Sequence, residues 1–115
     1  AMLLVKADST VTICHSKTRD TAEICRNSEI MIVAVGKTGM ADSSFFNKNQ
    51  IVIDVGINVS PGGKICGDVD TEAALPEVYA ITPVPGGVGS VTVSVLMRHV
   101  AEAAFSSCHS PDPRA

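Results

Sequence analysis

The chain has 115 residues, 45% of them hydrophobic, with 9 basic and 12 acidic side chains and a net charge of −3. That length fits one domain with an apolar core, and the lack of a basic stripe argues against nucleic acid, whose phosphates need clustered Lys and Arg. The longest apolar runs, such as residues 30–35, fall far short of the roughly 20 residues that span a bilayer, and residues 2–5 are too few for a signal-peptide core, so a soluble, cytoplasmic protein with no membrane partner is expected.

In chain order, residues 2–5 (Met-Leu-Leu-Val) have no helix-start signal before them and read as the tail of a helix. Residues 10–14 alternate β-branched and small side chains, which predicts a strand, and the polar segment 16–27 has a helix-compatible pattern. Residues 30–35 are a continuous apolar run stopped by Gly36, as expected of a strand buried on both faces of a parallel sheet. A short helical turn is predicted around 42–48, and residues 50–55 repeat the buried-strand signal up to Gly56. From 58 to 71 Gly, Pro and Asp dominate, with Pro61-Gly62-Gly63 marking a tight turn, so this stretch is loop with room for a small hairpin. Residues 79–81 form a short last strand, 82–89 a loop, and 91–105 a helix. The tail 106–115 contains two prolines and is expected to fray, leaving a domain over 1–105.

Cys14, Cys25, Cys66 and Cys108 are far apart in sequence, without the close spacing of a metal knuckle or a redox dithiol, and read as reduced bystanders. Cys14-His15 and Cys108-His109 are adjacent pairs, but neighbours on a strand face opposite ways, which spoils chelation, and no metal is expected. Strands alternating with helices point to an α/β fold with a parallel sheet and right-handed crossovers. Such sheets bind ligands beyond the carboxyl ends of their strands, here just after Cys14, Val35, Val55 and Ile81. Gly or small polar residues follow each of these points. Glycine at a strand end also serves ordinary turns, so on the residues alone a nucleotide site and a plain turn stand even.

Three groups of residues carry the candidate chemistry. His15-Ser16-Lys17-Thr18 holds no carboxylate, the group that accepts from a ribose 2′-hydroxyl in NAD sites; Ser16 offers a donor to a 2′-phosphate, Lys17 charge and His15 a donor or a stacking ring, which favours NADP. The alternative is a solvated turn in which Ser16 or Thr18 caps the next helix. Gly86-Gly87-Val88-Gly89-Ser90 before a helix offers backbone donors to an anion or a ring, but lacks the spacing of a P-loop. Asp54, Asp68 and Asp70 are suited either to acid–base or metal work or to ordering backbone through Asx-type hydrogen bonds, and the second role is expected. Tyr79 is assigned to the core.

Four motifs occur in order: Thr10-Val11-Thr12-Ile13-Cys14-His15-Ser16-Lys17-Thr18, Val52-Ile53-Asp54-Val55-Gly56-Ile57-Asn58, Gly67-Asp68-Val69-Asp70, and Ile81-Thr82-Pro83-Val84-Pro85-Gly86-Gly87-Val88-Gly89. Together they resemble the methylenetetrahydrofolate dehydrogenase/methenyltetrahydrofolate cyclohydrolase family, over about residues 1–104. The resemblance implies an NADP-binding Rossmann-like sheet, and an enzyme that oxidises 5,10-methylenetetrahydrofolate and hydrolyses the methenyl product to 10-formyltetrahydrofolate. It matches Ser16, with His15 beside it, to the 2′-phosphate position, and Ile57 to the residue whose backbone holds the nicotinamide carboxamide. The loop with Pro83, Gly86, Gly87, Val88 and Gly89 is matched to the cleft near nicotinamide and folate; Gly36 and Thr92 complete the cofactor-binding candidates. Ser90-Val91 stands where many members have Pro-Met, and Thr38 where Pro often follows Gly-Lys, both read as local turn variation.

The same resemblance implies an incomplete sheet. The first Rossmann strand and its Gly-Arg-Ser turn are expected upstream of residue 1, and the catalytic Lys and its Tyr in a separate N-terminal domain, so no catalytic residue is assigned in this chain and the 115 residues alone are expected to be inactive. It further implies tetrahydrofolate substrates and a homodimer. The alternative, of a different class, is a nucleotide-binding or dimerisation module without catalysis.

Overall fold

The computed structural model of the chain describes residues 1–109. Its elements are helices α1 (Met2–Lys6) and α2 (Thr21–Arg26), strand β1 (Ile30–Val33), a 3-10 turn (Ser43–Phe45), strand β2 (Ile51–Asp54), a hairpin of β3 (Asn58–Val59) and β4 (Ile65–Cys66), helix α3 (Thr71–Ala74), strand β5 (Ala80–Ile81) and helix α4 (Val88–His109). The main sheet is parallel, ordered β1-β2-β5, with Met31 opposite Val52 and Val33 opposite Asp54. The α/β reading with a parallel sheet therefore holds.

Side chains alternate across a strand, and in β1 and β2 one set is buried while the other is not. Met31, Val33 and Val52 join Ala41, Phe46, Val69 and Ala74 in the core, against which Cys25, Phe45, Val78 and Ile81 pack. The other face carries Ile30, Ile32 and Ile51, which are 55%, 51% and 39% exposed. Burial on both faces, expected from the unbroken apolar runs, is thus met on one face only; on the second, Ile53 alone is half-buried, beside Val88 and Val91 at the start of α4.

Residues 10–14 correct the sequence reading, since they form no strand. Propensity alone does not make a strand; a ladder partner does. β1 bonds to β2 along one edge, and no described strand pairs with residues 10–14. The helix after them is shorter than 16–27, and neither Ser16 nor Thr18 caps it: its first flanking residue is Asp20, in the left-handed region at φ 52°, without a side-chain cap. Its carboxyl end is closed from outside, by Asn47 Nδ2 on Arg26 O at 2.6 Å and Gln50 Nε2 on Cys25 O at 2.6 Å, which satisfies carbonyls that a helix leaves unpaired.

Two more boundaries differ. α4 begins at Val88, three residues before the predicted start, and runs to His109, so residues 106–109 are helical; the rest of the predicted tail lies outside the described residues. α3 was not anticipated, yet its signal was present: Asp70 Oδ1 accepts from Ala73 N at 3.1 Å, the N-cap geometry that Asp favours. None of the described side chains of α4 is buried. With α4 standing clear of the sheet, the radius of gyration is 18.2 Å, above the roughly 13 Å of a compact domain this size. No helix of the described residues is long and apolar enough to cross a membrane.

The core is closed by two glycines packed against two carboxylates. A Cβ on Gly67 meets Asp54 Oδ2 at 1.9 Å, and one on Gly56 meets Asp68 Cγ at 2.4 Å, whereas one on Gly62 meets nothing within 4 Å. G67A is expected to lower unfolding free energy by about 2–3 kcal/mol in urea titrations, the scale of forced overpacking, and G62A to stay within about 0.5 kcal/mol. Equal effects of the two substitutions would contradict this packing.

Candidate functional site

Beyond the carboxyl ends of β2 and β5 lies a cleft of about 190 Å³. One wall is the segment Asp54, Val55, Gly56 and Ile57 after β2; the opposite wall is the loop from Pro83 through Gly89, with Thr92 one helical turn further on, and Ile65 of β4 reaches in from the hairpin. The position agrees with the rule that open parallel sheets receive ligands at their strand tips. Of the residues singled out from sequence, the structure brings together Ile57, Pro83, Gly86, Gly87, Val88, Gly89 and Thr92. His15, Ser16, Lys17 and Gly36 lie outside this cleft, at the ends of other segments.

The glycine loop is shaped by close approach. A Cβ on Gly87 would sit 2.4 Å from Pro83 O, so only glycine lets the chain fold back on itself there. The Val84–Pro85 peptide is cis, and Gly86 follows with φ at 100°. Thr82 ties this loop to β2: its Oγ1 accepts from Asp54 N at 2.9 Å, and its own N donates to Val52 O at 3.0 Å.

The wall after β2 is held by carboxylates. Asp54 is 2% exposed and Asp68 fully buried. Asp54 Oδ1 accepts from Gly56 N at 2.8 Å and Asp68 N at 3.1 Å, and Oδ2 from Val69 N at 3.0 Å. Asp68 Oδ2 accepts from Val35 N at 2.6 Å and Gly36 N at 2.8 Å, and Oδ1 from Asn58 Nδ2 at 2.8 Å. Buried carboxylates are expensive unless donors surround them, and every partner here is a donor. Burial acts to raise the Asp68 pKa, but the Asn58 amide and the Gly36, Val35 and Lys37 backbone outweigh it and hold the carboxyl below its ordinary value. The backbone-ordering role expected of these aspartates is therefore the one they perform, and no group of three His, Cys, Asp or Glu among the described residues gathers as a metal would require.

His15 to Thr18 close a turn on themselves. Thr18 N donates to His15 O at 2.8 Å, His15 N to Thr18 Oγ1 at 2.9 Å, and Lys17 N to His15 Nδ1 at 3.1 Å. With Nδ1 accepting, a neutral His15 carries its proton on Nε2, which leaves a donor outside the turn. All four cysteines are free thiols, and burial, then the nearby Cys14, pushes the Cys25 thiol up.

Sequence reasoning missed Ile65 and the part played by Asp54 and Gly56 in the cleft. Val84 and Pro85 lay inside a quoted motif and could have been named from it. Ile65 had no local signal, because the hairpin alone carries it to the wall.

Residues 1–108 match the family described as tetrahydrofolate dehydrogenase/cyclohydrolase, NAD(P)-binding domain. The bifunctional protein FolD 1 of Desulfitobacterium hafniense is 51% identical over 106 residues, which is 92% of this chain and 38% of that protein. The crystal structure of the bifunctional 5,10-methylenetetrahydrofolate dehydrogenase/cyclohydrolase of Thermoplasma acidophilum superposes with a TM-score of 0.89 at 40% identity, over 95% of this chain and 39% of that one. The Trypanosoma brucei N5,N10-methylenetetrahydrofolate dehydrogenase-cyclohydrolase, complexed with NADP cofactor and an inhibitor, gives 0.84 at 38% identity, over 96% and 40%. The chain thus spans somewhat over a third of the length of these relatives.

Because the fold lowers the Asp68 pKa below the unfolded value of about 3.9, its ionised form stabilises the structure in full above that value, and this contribution is lost as pH falls through the folded pKa. Thermal melting from pH 5 to pH 3 is expected to fall more steeply in the wild type than in D68N. Parallel profiles would remove Asp68 from the acid response.

Proposed function

Because this chain belongs to the tetrahydrofolate dehydrogenase/cyclohydrolase family, as its NAD(P)-binding domain, we propose that it supplies the NADP site of an enzyme that oxidises 5,10-methylenetetrahydrofolate and hydrolyses 5,10-methenyltetrahydrofolate to 10-formyltetrahydrofolate. The observation that carries the reading is the strand-tip cleft, whose walls are the Ile57 segment and the Pro83 to Gly89 loop.

The residues fit the cofactor. Ile57, Ile65, Val84 and Val88 offer apolar surface to a flat ring, while Gly86, Gly87 and Gly89 present backbone without side chains in the way. The cofactor, when bound, supplies the hydride acceptor. The chain's own share is to bind and orient it: the Ile57 backbone takes the carboxamide, Thr92 and the glycine loop line the ring's surroundings, and Gly36 gives close approach at the tip of β1. At the other end Ser16 Oγ, Lys17 and the His15 Nε2 proton meet the 2′-phosphate, and the turn they sit on holds no carboxylate to repel it.

This reading assigns no catalytic residue to the chain, and takes tetrahydrofolate compounds as substrates, with neither nucleic acid nor membrane as partner. It also includes a homodimer and a cytoplasmic location. The exposed apolar residues of α4, among them Val93, Leu96, Met97 and Val100, support an association surface, and four free thiols suit a reducing compartment.

Titration of the intact enzyme with NADP and with NAD tests the proposal. NADP is expected to bind more tightly, and S16D to weaken it by about tenfold or more through lost donation and like-charge repulsion, with NAD affinity changed far less. Equal NADP affinity in the wild type and S16D would discredit the role of Ser16.

A further inference from the structure

We propose that Asp68 is a positioning residue for dinucleotide binding, coupling the loop after β1 to the cleft wall after β2. The inference rests on the cofactor-site reading above and deepens it.

Three features of the geometry lead there. First, Asp68 does not belong to either loop it holds: it lies on the strand-like segment after β4, where Val69 bridges Ala41 and Asp68 O accepts from Met40 N at 2.8 Å. Second, its two oxygens divide between the loops. Oδ2 takes Val35 N and Gly36 N at the tip of β1, and Oδ1 takes the side-chain amide of Asn58, the neighbour of Ile57 on the cleft wall. Third, its carboxyl carbon occupies the space that a side chain at position 56 would need, so the backbone entering that wall runs directly against it. One fully buried anion therefore sets the separation of two strand tips that a dinucleotide must straddle.

The charge matters as much as the shape. All its partners present N–H groups, so an amide at position 68 keeps the size but turns an NH2 group toward another donor. Asn58 can accept from it only by turning its own amide over and giving up Gly67 O. One loop is then released. Because the amides of Val35 and Gly36 are consumed by Asp68, they are not offered to a ligand; what Asp68 contributes is the position of the remaining surface. A purely structural aspartate would lower stability without selecting between the two substrates of the enzyme.

The experiment uses the intact enzyme and compares D68N, N58A and the reciprocal exchange N58D/D68N by steady-state dehydrogenase kinetics and thermal melting. D68N is expected to raise KM for the dinucleotide about tenfold or more, the factor carried by one lost hydrogen bond to a charged group, while KM for the folate moves less than about twofold. The exchange is expected to recover most of the loss. In it the amide oxygen still accepts from Val35 and Gly36, and the amide nitrogen faces a carboxylate. N58A leaves the bonds to Val35 and Gly36 in place and is expected to raise the dinucleotide KM by about threefold or more.

An unchanged dinucleotide KM in folded D68N overturns the coupling, as does an exchange that restores the melting temperature but not KM. Should D68N fail to fold, N58A decides, and an unchanged dinucleotide KM there overturns it equally. A wild-type enzyme that saturates with dinucleotide beside an indifferent D68N sinks the coupling alone; a wild type that takes no dinucleotide sinks the function reading and the coupling with it.

Discussion

A parallel sheet ends in loops whose amides have left the ladder, and a buried amide without an acceptor is costly. In this chain Asp54 and Asp68 accept from five such groups, the backbone N–H of Val35, Gly36, Gly56, Asp68 and Val69. The arrangement is reciprocal. Asp54 ends β2 and holds the segment that carries Asp68, while Asp68 packs into the gap left by Gly56, just beyond β2. The Asp54 carboxylate takes the backbone N–H of Asp68, and the Asp68 carboxylate takes the tip of β1 and the side chain of Asn58, so the two anions form one chain of contacts across the strand tips.

The cleft depends on that lock. Its apolar surface comes from Ile57 and Ile65 on one side and Val84, Pro85 and Val88 on the other, and none of these side chains belongs to the buried core. Ile57 is 74% exposed and has little packing to fix it. What fixes its wall is the neighbour on either side: the Gly56 backbone N–H held by Asp54, and the Asn58 side-chain amide held by Asp68. The opposite wall is secured by Thr82 on β2 and by the contact of Gly87 with Pro83. A site on loops is adaptable, and here buried charge supplies the rigidity that loops lack.

Much of this was legible in the residues. β1 and β2 were found from their apolar runs, and the turn after β3 from Pro61-Gly62-Gly63, because such signals are local. Six of the seven cleft residues named in advance came from motifs whose order is specific to a family, not from physical pattern alone, and Thr92 lies just beyond the last of them. What failed was nonlocal. Residues 10–14 have strand propensity but no ladder partner, and pairing is decided elsewhere in the chain. Asx-type bonding was expected of Asp54, Asp68 and Asp70 without named partners, and the local pairs Asp54 with Gly56 and Asp70 with Ala73, two and three residues apart, fit it. It could not anticipate Asp68 with Val35, 33 residues away, since that contact exists only once the sheet has brought the tips together.

Amide hydrogen exchange resolved by NMR tests the carboxylate lock most directly. The N–H groups of Val35, Gly36, Gly56, Asp68 and Val69 lie in loops, where exchange is ordinarily fast, yet the account predicts that they exchange at least about 100-fold more slowly than Gly62 at the hairpin turn. Exchange at all five as fast as at Gly62 would contradict it.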